Sequence, residues 1–216
     1  MLLLAFDTAT PHVAVALHDG TDTLGTYDGE GAMRHGELLA PGIAHVLAQV
    51  GAQMREVTDV VVGVGPGPYT GLRVGVVTAR TLAAALGVRA HGVCSLDGLA
   101  ASAREDGLVG GFVAATDARR KEVYWARYDA AGRRVDGPHV DLPVVLAARL
   151  AEGEQVIGRG AQLYADILPT AHGPLDPRAS AMAAAVATGR IRTLPLEPLY
   201  LRRPDAVEPA GRTRLT

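Results

Sequence analysis

A pattern that occurs twice constrains this chain more than anything else in it. LLLAFDTATPHVAVALHDG near the start and GFVAATDARRKEVYWARYDAAG past the middle share one internal spacing. Asp7 matches Asp117, Val13 matches Val123 and Asp19 matches Asp129, each 110 residues further on. Each copy reads as an apolar strand, an acidic turn, a second strand and a second acidic turn. A shared offset over four features points to an internal duplication, and so to two related halves rather than one continuous core.

The length of 216 residues leaves room for two such halves only if each is small. With 48% apolar and 20% charged residues a packed core is expected and wholesale disorder is not. Aromatic residues make up only 4%, so the interior must be built from Ala, Val and Leu at close backbone spacing. The 21 basic and 23 acidic residues give a net charge of −2, too even for gripping nucleic acid by bulk charge. A single cysteine, Cys94, excludes an intrachain disulfide and a multi-cysteine metal cluster. The opening MLLLAFDTAT lacks the basic region and apolar length of a signal peptide, and no run approaches a membrane span. The expected compartment is the cytoplasm, with no membrane partner.

Along the first half, residues 2–8, 12–18 and 23–28 read as strands, with Asp19-Gly20 as a hairpin turn. Residues 35–50 change to helical spacing, and Pro41 must lie near the first turn of that helix or kink it. The run DVVVGV from Asp59 to Val64 has the unbroken apolar character of a strand buried on both faces. A helix over about 71–86, a strand over 88–93 and a helix over 95–104 come next, giving βββαβαβα. The polar Arg104-Glu105-Asp106-Gly107 marks a boundary: a first lobe over 1–106, a shortened second lobe over 107–195 and a tail over 196–216. In the second half the pattern weakens, with a helix near 142–151, a short strand over 154–158 and an Ala-rich helix over 178–189.

Two βββαβαβα lobes, each with an aspartate ending its first strand, describe the actin-like ATPase architecture, an α/β fold of ribonuclease H-like lobes (ASKHA). There a nucleotide sits between the lobes, and the two turns hold phosphate or Mg²⁺. Asp7, Thr8 and Asp117 are therefore the candidate phosphate-side residues. Aspartate also closes strand ends through its own side chain, which is the plainer role for either. GVGPGPYTGLRVG, from Gly63 to Gly75, joins a strand to a helix with Thr70 placed as N-cap. It is neither a P-loop, having no lysine, nor GxGxxG. It serves equally as an anion cradle or as a close helix-to-sheet crossover. The seven histidines show no HExxH and no i, i+4 pair, and no GxSxG elbow occurs, so neither a metal centre nor a nucleophilic hydrolase is expected. Arg119, Arg120 and the sole lysine, Lys121, cluster beside Asp117.

FDTAT, RHGELLAP, GVGPGPYTGLRVGVVTARTLA, DARRKEVYWARYD and PLYLRRPDA together resemble the TsaB (YeaZ) family of bacterial tRNA threonylcarbamoyladenosine biosynthesis proteins, over almost the whole chain. The resemblance implies a paralogue of TsaD, the subunit that transfers threonylcarbamoyl from its adenylate to N6 of adenosine 37 in tRNAs reading ANN codons. Where TsaD has a metal-binding His-x-x-x-His, this chain reads VCSLDGLA, with Ser95 and Leu99 at the two positions. A hydroxyl and an alkyl group do not ligate a metal as imidazoles do. No catalytic or metal residue is therefore expected, nor a tightly bound cofactor, although ATP or ADP at a subunit junction fits the family.

The resemblance further implies a non-catalytic partner that activates TsaD, works with the ATPase TsaE, meets tRNA indirectly and pairs with itself when TsaD is absent. The first-lobe helix contributes to the family's pairing, so His35, Leu38, Leu39, Ile43 and Leu47 are the expected partner-facing residues. The competing expectation is a stand-alone ATPase or small-molecule kinase using Asp7 and Asp117, against which stands Ala9 where such enzymes carry the glycine of Asp-x-Gly. Direct RNA contact would fall to Arg119, Arg120 and Lys121 or to the tail's Arg202, Arg203, Arg212 and Arg214.

Overall fold

A computed structural model describes residues 1–31 and 34–202. Two separate sheets form. The first takes β1 (Leu3–Asp7), β2 (His12–His18), β3 (Thr23–Glu30), β4 (Asp59–Gly65) and β5 (Arg89–Cys94) in the order β3-β2-β1-β4-β5. The second takes β6 (Phe112–Asp117), β7 (Val123–Tyr128), β8 (Arg134–Asp141) and β9 (Gln155–Ile157) in the order β8-β7-β6-β9. In each sheet the first strand runs antiparallel to the second and parallel to the fourth, which returns after the helical crossover. The second sheet repeats the first without its outermost parallel strand, and β9 is only three residues long. This is the actin-like α/β architecture, with the second copy abbreviated.

The helices are α1 (His35–Val50), α2 (Tyr69–Leu86), α3 (Ser95–Glu105), α4 (Pro143–Ala147), α5 (Arg159–Leu163) and α6 (Ala179–Ala187). Strand periodicity of two decides which layer each residue joins. Leu4, Phe6, Val13, Val15 and Leu17 meet Leu39, Ile43, Val46 and Leu47 of α1 on one face of the first sheet. Leu3, Ala5, Ala14 and Ala16 meet Ala179, Met182 and Ala183 of α6 on the other. In the second sheet Phe112, Ala114 and Ala126 pack on α3 through Leu96, Leu99 and Ala103. Val113, Ala115 and Trp125 face Leu146, Ala161 and Leu168.

The sheets change between residues 94 and 112, across the boundary expected at 106, but the helices do not respect it. Helix α6, placed by sequence in the second lobe, covers the first sheet, and α3 of the first half covers the second. The chain then returns to the first lobe: Leu194 forms an isolated bridge with Gly92, and Leu199 N donates to the Val64 carbonyl at 2.7 Å. The reason is compositional. Helix α6 (ASAMAAAVA) carries no polar stripe, so it must be covered on more than one side, and it lies between the first sheet and α3.

The repeat is imperfect by one residue. Asp7 pairs with Ala14, but Asp117 pairs with Val123, so the second copy's turn is one residue shorter and Val123 corresponds to Ala14 rather than Val13. Strand β8 has no counterpart in the sequence reading, and α2 starts earlier than expected, with Pro68 rather than Thr70 at the N-cap. Pro41 sits in the second turn of α1 on its exposed side, and the helix runs on through it. Among the described residues no helix is long and apolar enough to cross a membrane.

Candidate functional site

Each lobe's first strand ends in the same local device. The Asp7 carboxylate accepts the Ala9 N–H at 2.7 Å, and the Asp117 carboxylate accepts the Arg119 N–H at 2.7 Å. Such a bond two residues on closes an Asx-turn. The second acidic turns match as well, with Asp19 accepting from Thr21 and Asp22, and Asp129 from Ala131 and Arg133.

The surroundings of the two turns differ. Asp7 is 1% exposed, and its second carboxylate oxygen accepts the Ser95 hydroxyl at 2.5 Å. That hydroxyl in turn accepts the Gly65 N–H at 3.2 Å. The glycine block lies directly against the turn. A Cβ at Gly63 would fall 1.7 Å from the Asp7 carboxylate, and one at Gly67 would fall 2.2 Å from the Ala9 carbonyl. Thr8, fully buried, donates its hydroxyl to the Gly71 carbonyl at 2.8 Å. The glycines thus serve a close crossover: they let the β4–α2 connection lie on the strand-one turn where a phosphate would enter. Burial raises the Asp7 pKa above the ordinary carboxylate value, against the opposing pull of Ser95 and Ala9.

Asp117 faces the other way. Its side chain is 14% exposed and pairs with Arg119, whose guanidinium lies 3.3 Å away. Arg119, Arg120 and Lys121 all adopt positive φ, and all three lie exposed in the shortened turn. Asp117, Arg119, Arg159, Gln162, Leu163 and Pro11 line an open cavity of about 390 Å³ between the lobes. Arg159 is itself held by Asp176. The structure does not bring Asp7, Thr8 and Asp117 to one accessible site, because the first two lie beneath the glycine block. Ser95 and Leu99 are both buried, the first in the bond to Asp7 and the second in the core. Burial pushes the Cys94 thiol up to about 12, so it is no thiolate.

The expected partner-facing residues need correction. His35, Leu39, Ile43 and Leu47 are buried within this chain, and Leu38 is half-buried against the same cluster. Their four-residue spacing is the stripe that α1 turns toward its own sheet. His35 is fixed there by donating its Nε2–H to the Thr10 carbonyl at 2.7 Å. The outward side of α1 carries Ala40, Pro41, Ala44, His45 and Ala48, and Val77 of the adjacent α2 is 59% exposed. At the start of α2, Tyr69 stacks on Tyr200 at 5.1 Å, and the Arg73 guanidinium lies 3.8 Å over the Tyr69 ring. Tyr and Arg packed in one exposed cluster are the residue types that anchor interfaces. Sequence reasoning missed this cluster, although PYTGLR and PLYLRR both lie within family motifs.

Comparisons with known proteins agree with this architecture. A family model described as TsaD, tRNA N6-adenosine threonylcarbamoyltransferase, matches residues 26–184. The TsaB protein of Escherichia coli is 31% identical over 77% of this chain and 75% of its own length. The chain belongs to the TsaB (YeaZ) family. TsaB of Haemophilus influenzae, 32% identical over 74% of the chain, agrees. Both relatives are named tRNA threonylcarbamoyladenosine biosynthesis proteins. An uncharacterized protein of Mycobacterium tuberculosis is 42% identical over 94% of the chain and 93% of its own length. The chain spans only 56% of the Mycobacterium leprae relative, which is also 42% identical. The solved YeaZ of Pseudomonas aeruginosa superposes with a TM-score of 0.76 at 30% identity, covering 93% of this chain and 99% of that one.

Proposed function

We propose that this TsaB-family chain is a non-catalytic subunit that binds and activates TsaD for threonylcarbamoyl transfer to N6 of adenosine 37 in tRNAs reading ANN codons. The observation that carries the reading is the sealed strand-one turn. Asp7 is committed to Ser95 and Ala9, and the glycine block occupies the approach to the turn. A kinase or ATPase of this fold needs that approach open. The fold is kept while its nucleotide-side chemistry is given over to packing, and a partner role is what such a chain retains.

In this reading TsaD docks on the outward side of α1 and α2, across Pro41, Ala44, Ala48 and Val77, with the Tyr69–Arg73–Tyr200 cluster beside it. Small side chains let two helix pairs approach closely, and the same face pairs with a second copy when TsaD is absent. TsaE joins the assembled pair in the cytoplasm, ATP or ADP lodges at a subunit junction, and tRNA is met mainly through TsaD.

Co-purification with the cognate TsaD, followed by a threonylcarbamoyladenosine assay, tests the proposal. The expected result is a stable complex and strong stimulation of TsaD, both lost in Ala44→Arg/Val77→Asp. Failure of the wild-type chains to associate, with synthesis proceeding equally without this chain, would overturn it. Turnover of ATP by the isolated chain that Asp7→Asn abolishes would return it to the enzymes.

A further inference from the structure

Four arginines line a surface cavity that the proposed partner role does not use. The cavity, about 270 Å³, is lined by Asp97, Arg133, Arg134, Arg190 and Arg192 with Gly132 and Ile191. Two of these arginines come from the hairpin between β7 and β8, and two from the segment after α6. Both supports are well fixed. Asp129 ties down the hairpin by accepting the backbone N–H groups of Ala131 and Arg133, both at 2.9 Å. After α6 the Arg190 N–H donates to the Ala185 carbonyl at 2.8 Å, and Ile191 packs against the core while Arg190 and Arg192 on either side of it stay exposed.

The charges in this cavity do not balance. Arg133 pairs with Asp129 at 2.9 Å, and the Arg134 Nε lies 3.3 Å from Asp97. Asp97 is buried, and one of its oxygens also accepts the Tyr128 hydroxyl at 2.8 Å. Arg190 spends its Nε–H on the Thr188 hydroxyl at 2.9 Å. Among the described residues neither Arg190 nor Arg192 has a carboxylate partner. Like charges gathered around one concavity repel unless an anion sits among them. The planar guanidinium fork matches the oxygens of a phosphate group better than any other common anion in a cell except carboxylate.

We propose that this cavity binds phosphate groups, those of an RNA backbone or those of a nucleoside polyphosphate. Arg190 and Arg192 make the contacts, and Arg134, anchored on Asp97, forms the cationic floor. The inference goes beyond the TsaD-partner reading and does not depend on it.

The test uses the full chain and the double variant Arg190→Ala/Arg192→Ala. The exposed pair Arg55→Ala/Arg80→Ala serves as the charge-matched control. Fluorescence anisotropy with a labelled tRNA transcript, from about 50 to about 200 mM salt, reads the RNA arm. Calorimetry with ATP and with inorganic phosphate reads the free-phosphate arm. If RNA is the source, the double variant binds about tenfold more weakly and its log–log salt slope falls by about 2, one per lost phosphate contact. If a nucleotide is the source, ATP affinity falls about tenfold and RNA binding is unchanged. The proposal is overturned if wild type binds neither, if the double variant binds both as wild type does, or if the control loses as much. Co-elution of the double variant with TsaD is followed in parallel, so failure of this site and failure of the partner role are read separately.

Discussion

Asp7 and Asp117 close their strands with the same hydrogen bond at the same length, yet one turn is sealed and the other opens on a cavity. The difference does not come from the aspartates. It comes from the crossover strand of each copy and the loops around it. In the first lobe the end of β4, a three-residue connection and the first turn of α2 bring Gly63, Gly67 and Gly71 down onto the turn. In the second lobe β9 is three residues long and the turn is one residue shorter, with three consecutive residues at positive φ. Duplication supplied two equivalent turns, and unequal loops gave them different fates.

The largest break in this comparison should come from Gly63→Ala. The added methyl would overlap the Asp7 carboxylate within a strand buried on both faces, and neither backbone can move aside. A loss of about 3 kcal/mol or more is expected in urea denaturation. Gly36→Ala, where nothing lies within 4 Å, should be neutral or stabilising by about 0.5–1 kcal/mol.

Asp7→Ala should cost next most. It orphans the buried Ser95 hydroxyl and the Ala9 N–H, for roughly 2 kcal/mol of stability. The pH dependence sharpens the point. The fold raises the Asp7 pKa by burial, so the folded chain binds the proton more tightly than the unfolded chain does. The Asp7 contribution is therefore fully present at low pH and is lost as pH rises through the raised value. The stability advantage of wild type over Asp7→Asn should be greatest in acid and shrink toward neutral pH. An advantage that grows with pH would mean that the hydrogen bonds outweigh burial.

Asp117→Ala should have the smallest effect, within about 1 kcal/mol, because its ion-pair partner Arg119 is 58% exposed and residues 119–121 of the turn all lie at the surface. If Asp117→Ala proves as costly as Asp7→Ala by thermal denaturation, the two turns are not as different as their burial indicates.

Much of the fold was legible along the chain. Alternation and helical period placed β1, β2, β4, α1 and α3 within a residue or two, because those periods are local. The repeat announced two related sheets before any contact was known. The residues expected to face a partner proved to be core for a physical reason: leucines at 39 and 47 stand out along the chain, but on a small sheet-covering helix they pack on the chain's own sheet. The exposed side of the helix is lined by alanines at 40, 44 and 48, which carry no such signal. The bond from Ser95 to Asp7 was not legible along the chain, because the two lie 88 residues apart.

The sequence by itself determined the class of fold, the order of the first lobe's elements and the family, since periodicity, turn residues and motif spacing are all written along one dimension. Tertiary structure alone decided that Asp7 is sealed, that α3 and α6 exchange sheets, that Tyr69 meets Tyr200, and that four arginines share a cavity. Each of those depends on how closely distant segments approach. That distance is set by missing side chains at glycine and by the volumes packed between layers, which no local pattern measures.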